Sequence, residues 1–134
     1  SNAIAKLLSA QNGNDHSEEY QCSGTEPYWS AKVSSKGISF KYEDVIELTK
    51  VVFSGAGATS TEVVIPITAT NGSSELTGFI NDVGIYSSSV DTKALCSPGA
   101  GTYLYPYSIQ FFLDGKAYFG CCESKSKPRI ETEG

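Results

Sequence analysis

Cys121 and Cys122 are neighbours in the chain, and that adjacency restricts the fold more than any other feature of the sequence. On an extended segment successive side chains leave on opposite faces, and a bond between neighbours would be strained. Each therefore pairs with a distant partner, and the chain offers two, Cys22 and Cys96. Such bonds would close loops of about 27 and 100 residues, each contributing roughly 3 to 5 kcal/mol in the chain-entropy account. The expected pairing is Cys22 with Cys121 and Cys96 with Cys122, because Cys121 is in phase with Phe119 and would face the core near Trp29.

Four cysteines without a Cys-x-x-Cys pair, and a single His16 in a polar leader, leave a zinc site without ligands. Neither a metal nor a cofactor is expected. Two disulfides imply an oxidising compartment, the alternative being four reduced thiols in a cytosolic protein. The 134 residues suit one domain. Ten basic and 15 acidic residues give a formal net charge of −5, with no basic stripe interleaved with aromatics, which excludes nucleic acid as the expected partner. The uncharged stretches are interrupted by Gly and Ser and fall short of a membrane span.

Residues 1–3 read as the remnant of a cleaved purification tag, so the native start lies outside the sequence. Residues 4–19 open on Ile4-Ala-Lys-Leu-Leu8 and then lose all apolar periodicity. They read as a flexible leader, a tether to a membrane anchor, or else a short helix capping one end. The domain is expected over residues 20–122 and a charged, fraying tail over 123–134.

Within the domain, Tyr20 to Ser30 is the hub. Pro27 lacks an amide, so the chain turns at Gly24 to Pro27 and enters a strand at Tyr28. There Trp29, Ala31 and Val33 share one face, and the indole reads as a core anchor rather than a ligand-stacking ring. Ser34 to Gly37 turns the chain into Ile38, Phe40 and Tyr42, a hairpin by pattern. Val45 to Ser54 favours a strand over a helix, with Ile46, Leu48 and Val52 on one face. Gly55 to Ala58 breaks it, without the lysine and helix of a phosphate loop.

Thr61 to Thr70 carries Pro66, which belongs at an edge or bulge, and Asn71-Gly72 signals a two-residue hairpin into Glu75 to Ile80. A long polar connection over 87–102 holds Cys96. Tyr105, Tyr107, Ile109, Phe111 and Leu113 then share one parity, and Asp114-Gly115 returns the chain antiparallel. The reading is all-β: a small antiparallel β-barrel, or a sandwich, of seven or eight strands stapled by disulfides.

Cys22-Ser-Gly24-Thr-Glu26-Pro27-Tyr28-Trp29, with Tyr105-Pro106-Tyr107 and Gly120-Cys121-Cys122, resembles a family of uncharacterised bacterial envelope proteins, many of them lipoproteins. The likeness spans Tyr20 to Cys122. The family's acidic Asp-Gly-Met-Ser-Asp loop after the middle cysteine is absent, since Cys96 is followed by Ser97-Pro-Gly-Ala-Gly-Thr102. The family is distantly similar to small envelope β-barrels that inhibit C-type lysozymes, a fold-level analogy. The resemblance implies a periplasmic or outer-membrane-anchored protein, touching the membrane only through a lipid anchor upstream.

No catalytic constellation emerges. With one histidine in the leader and the thiols oxidised, a nucleophile has no base, and Glu26, Asp82, Asp91 and Asp114 are scattered over turns. An enzyme is not expected. The leading expectation is a monomeric, non-enzymatic binding module, an inhibitor of a hydrolase, whose negative charge suits a basic protein such as a lysozyme. Its expected contact residues are Glu26, Tyr28, Tyr103, Tyr105 and Tyr107, gathered at one end of the barrel. The alternatives are a small-molecule carrier with those tyrosines at its mouth, and a structural or stress lipoprotein without a discrete ligand. A continuous cavity would favour the carrier. A filled core with an exposed aromatic or acidic patch would favour the inhibitor.

Overall fold

A computed structural model describes residues 18–54, 57–58, 63–83, 95–97 and 103–131. The short helix considered for Ile4 to Leu8, and most of the connection around Cys96, lie outside these residues. The described strands are β1 (Tyr20–Thr25), β2 (Tyr28–Ser34), β3 (Gly37–Tyr42), β4 (Asp44–Leu48), β5 (Lys50–Phe53) and β6 (Gly57–Ala58). They continue as β7 (Val63–Thr70), β8 (Glu75–Asp82), β9 (Tyr103–Leu104), β10 (Tyr107–Leu113), β11 (Lys116–Ser124) and β12 (Ile130–Glu131).

Nine of them form a nearly closed antiparallel barrel in the order β4-β3-β2-β1-β11-β10-β8-β7-β5, with β6 beside β7 and a small β9–β12 pair apart. The sequence reading of seven or eight strands falls short because Val45 to Ser54 is two strands. The strand breaks at Thr49 between β4 and β5, which lie at opposite ends of the strand order. The break resets the alternation. Leu48 and Phe53 are buried, whereas Val52, expected beside Ile46 and Leu48, points outward.

The turns follow local chemistry. Asp114 and Gly115 both have positive φ (52° and 85°), the conformation a two-residue hairpin demands. Asn71-Gly72 instead belongs to a four-residue loop, since the ladder closes at Thr70 opposite Glu75. The Asn71 side chain accounts for the difference. Its Oδ1 accepts from the amides of Ser73 (2.8 Å) and Ser74 (2.7 Å), and its Nδ2 donates across the seam to the Glu47 carbonyl (2.9 Å). Pro66 sits where β5 ends, its carbonyl accepting from the Ser54 amide (3.0 Å), so its missing donor interrupts no paired ladder.

The barrel interior is packed with aromatic rings. Trp29 lies 5.8 Å from Phe40, 5.1 Å from Phe111 and 6.2 Å from Tyr118, centroid to centroid. The β1–β11 ladder runs from Tyr20 opposite Ser124 to Ser23 opposite Cys121. Beyond its last rung the Trp29 Nε1–H donates to the Phe119 carbonyl (3.2 Å). A Cβ at Gly24 would collide with the indole nitrogen and that carbonyl, and one at Gly120 with the Ser23 carbonyl and the indole ring. The two glycines are the seat of the tryptophan.

That seat also corrects the disulfide pairing. The inward parity of β11 is that of Tyr118, Gly120 and Cys122, while Phe119 is 63% exposed. Cys122 therefore meets Cys22, directly opposite in the β1–β11 register, inside the barrel. Cys121 leaves on the outer face and takes Cys96. Tyr118 wins the inner position because its ring stacks on Phe111 at 5.3 Å. No cysteine is free.

The tail does not fray where it is described. The Ser124 amide donates to the Lys127 carbonyl (2.9 Å), Lys127 pairs with Asp82, and Ile130 and Glu131 add to Leu104 and Tyr103.

Two measurements check this core. Intact-mass analysis after alkylation should reveal no thiols, and mapping should join Cys22 to Cys122 and Cys96 to Cys121; a peptide joining Cys22 to Cys121 would refute the inner/outer division. Trp29→Ala should cost about 3 to 5 kcal/mol and Gly120→Ala about 1 to 3 kcal/mol by denaturant unfolding. The wild-type fluorescence should be blue-shifted and resist iodide.

Candidate binding face

The five residues expected to line a rim separate into three environments. Glu26 and Tyr28 flank the Pro27 turn and are exposed, Tyr28 by 75%. Tyr103 and Tyr105 face the tail. The Arg129 guanidinium lies 4.1 Å from the Tyr103 ring centroid and 3.3 Å from a Glu123 oxygen. Its hydrogen bond with Tyr105, then the Glu123 charge, hold it further above its ordinary pKa. Tyr107 is a core residue, edge-on to Tyr20 at 5.1 Å, with its hydroxyl 3.3 Å from Ser124 Oγ. Of the five, Glu26 and Tyr28 are exposed, Tyr103 is half-buried, and Tyr105 and Tyr107 are buried.

The outer disulfide builds a site around Glu26. Cys96 and Tyr105 exchange backbone hydrogen bonds (2.8 Å each), and the bond to Cys121 lays the Leu95 to Ser97 segment on the outer face of β11. Between that segment and the Pro27 turn lies a depression of about 390 Å³, lined by Thr25, Glu26, Ser97 and Phe119. The Pro27 turn thus faces Cys96 and Ser97 across this depression, and neither Tyr103 nor Tyr105 lines it.

Sequence reasoning missed the larger feature beside it. Pro66, Phe79, Phe112, Ala117 and Phe119 project from the outer face of β7, β8, β10 and β11 and line a groove of about 520 Å³. Phe112 is 58% exposed. The register explains the clustering. Pro66 lies opposite Phe79, Phe79 opposite Gln110, and Gln110 opposite Phe119, so one row crosses four strands. Phe112, opposite Thr77 and Ala117, continues it in the next row. A signal was present: Phe111-Phe112 and Tyr118-Phe119 are adjacent aromatics on alternating strands, so one ring of each pair must face out. Contiguous exposed apolar surface of this kind marks interaction sites.

The acidic end of this face is also ordered. Asp114 Oδ1 accepts from the Glu75 amide (2.9 Å), and that bond, then one from Ser74, lowers the Asp114 pKa despite some desolvation. Among the described residues no cluster of His, Cys, Asp or Glu gathers to hold a metal ion, and no helix is long and apolar enough to cross a membrane.

No family of known proteins, no curated protein and no solved structure matches this chain.

Because the folded pKa of Asp114 lies below its unfolded value, its contribution is present above the unfolded pKa and lost as pH falls through the folded one. Stability of the wild type relative to Asp114→Asn should therefore be constant near neutrality and shrink on acidification below about pH 4. A difference that instead grew on acidification, in denaturant titrations across that range, would contradict this hydrogen-bonded carboxylate.

Proposed function

We propose that this protein is a non-enzymatic binding module of the bacterial envelope, and that it acts as an inhibitor of a basic hydrolase of the lysozyme kind. The observation that carries this reading is the division of the molecule into a filled interior and an aromatic, acid-flanked outer face. Trp29, Phe40, Phe111 and Tyr118 occupy the space where a carrier would need a cavity. Phe79, Phe112, Phe119 and Tyr28 instead present rings outward from strands that cannot easily shift. Rigid aromatic side chains add contact area at low entropic cost.

Charge supports the same partner class. A net charge of −5 speeds encounter with a cationic protein, and Glu26 and Asp114 stand beside the exposed rings. Two disulfides fit an extracytoplasmic location, where lysozymes act. The sequence resemblance to envelope lipoproteins supports a periplasmic or outer-membrane location, as a monomer tethered by a lipid anchor. The structural-lipoprotein alternative gives no reason for an apolar outer face.

The experiment is a pair of assays with purified C-type lysozymes: calorimetric binding and inhibition of peptidoglycan hydrolysis. Stoichiometric binding that weakens as salt rises, together with inhibition, is the expected outcome. No binding at low ionic strength by any C-type lysozyme tested would remove the inhibitor assignment.

A further inference from the structure

Three depressions form one continuous surface, which runs from the β7–β8 and β10–β11 turns over the outer face of β7, β8, β10 and β11 to the end of β1 and the Pro27 turn. The first, about 460 Å³, lies at the β7–β8 and β10–β11 turns and holds Glu75 and Asp114. It shares Thr77 and Phe112 with the apolar groove. The groove in turn shares Phe119 with the depression that holds Glu26. The result is an apolar floor with a carboxylate at each end, and neither lysine nor arginine lines any of it among the described residues.

The spacing follows from strand geometry. About four residues along β10 and β11, and two strand widths across to β1, put the acidic ends roughly 15 to 20 Å apart. An extended chain covers that distance in about five or six residues.

We propose that this surface docks a protein segment with an apolar centre of about that length and a cationic residue at each end. The inference rests on the binding-module reading and names its partner's chemistry. Apolar side chains of the segment cover Phe79, Phe112 and Phe119, while its cations meet Glu26 at one end and Glu75 with Asp114 at the other. The cations also lie over the exposed rings, where the ring faces attract them. The occupant lies on a sheet face, whose backbone groups are engaged in the ladders β8–β10 and β10–β11. Recognition is therefore by side chains and not by an added strand.

Charge decides against other occupants. An anionic lipid surface is repelled by three carboxylates with no compensating base. A second copy of the chain fares no better. A two-fold interface sets this face against itself, and with acid at both ends carboxylates meet carboxylates whether the two grooves align parallel or antiparallel.

The test uses three fluorescently labelled peptides: a short leucine and isoleucine core flanked by lysines, the same core flanked by glutamates, and a lysine-flanked serine core. Anisotropy should show the lysine-flanked apolar peptide binding at least about tenfold tighter than either other. Phe112→Ser with Phe119→Ser should weaken it about tenfold or more, with an unchanged melting curve because both rings are exposed. Glu26→Gln with Glu75→Gln should weaken it and flatten its salt dependence.

Equal binding of the lysine- and glutamate-flanked peptides, or binding indifferent to the phenylalanine pair, overturns the proposal. So does a wild-type dimer in sedimentation that the phenylalanine variant abolishes. Peptide binding that passes these tests while every lysozyme fails upholds this surface and removes only the lysozyme assignment. Lysozyme inhibition unaffected by all four substitutions does the reverse.

Discussion

The pairing of β1 with β11 is the constraint on which the rest of the molecule depends. It joins strands from the two ends of the domain, and the Cys22–Cys122 bond crosses it with a sequence separation of 100. Closing so long a loop is entropically costly, and a covalent link removes much of that cost from the unfolded chain. Once the two strands are in register, Gly24 and Gly120 stand side by side and leave a slot for the indole of Trp29. The indole then satisfies the Phe119 carbonyl that the finished ladder leaves over, and ties β2 to β11 across β1. Barrel closure and core packing are in this sense one event.

The same registration fixes the outer face. Cys122 points inward, so Cys121 must point outward, and with it Phe119 and Ala117. A strand whose inner face is held by a disulfide and a tryptophan seat cannot slip by one residue without exchanging both faces. The outward rings are thereby held at fixed spacing on a stiff sheet. A partner would meet a surface already in its binding conformation, which limits the ordering cost of association.

Much of the architecture was legible in the residues. Alternation over β2, β3 and β10, the Asp114-Gly115 turn and the oxidised cysteines all carry local signals that tertiary context left intact. What alternation does not carry is the choice of which face is inside. For β11 both parities are largely apolar, Tyr118 with Cys122 against Phe119 with Cys121, and only the seating of Trp29 between two glycines decides. The disulfide pairing hung on that choice and fell with it. Val45 to Ser54 shows a different limit: a one-residue break at Thr49 has no composition of its own, yet it exchanges the faces of β5 relative to β4. At the candidate site, Glu26 and Tyr28 were readable as turn residues on an exposed corner. Tyr103 and Tyr105 were not readable as tail contacts, because the tail's charge gave no hint that Arg129 would reach back to them.

The break at Thr49 has a consequence for how the molecule meets its neighbours. An open sheet of this size would present two rows of unpaired backbone groups, each a template on which another chain could extend the sheet. Here both terminal strands, β4 and β5, belong to one continuous run of chain, and Asn71 adds a side-chain tie to β4 beside the gap. The two ends of the nine-strand order are thus tied to each other by the chain itself, which leaves less room for another strand to extend the sheet there. Its contacts are left to side chains.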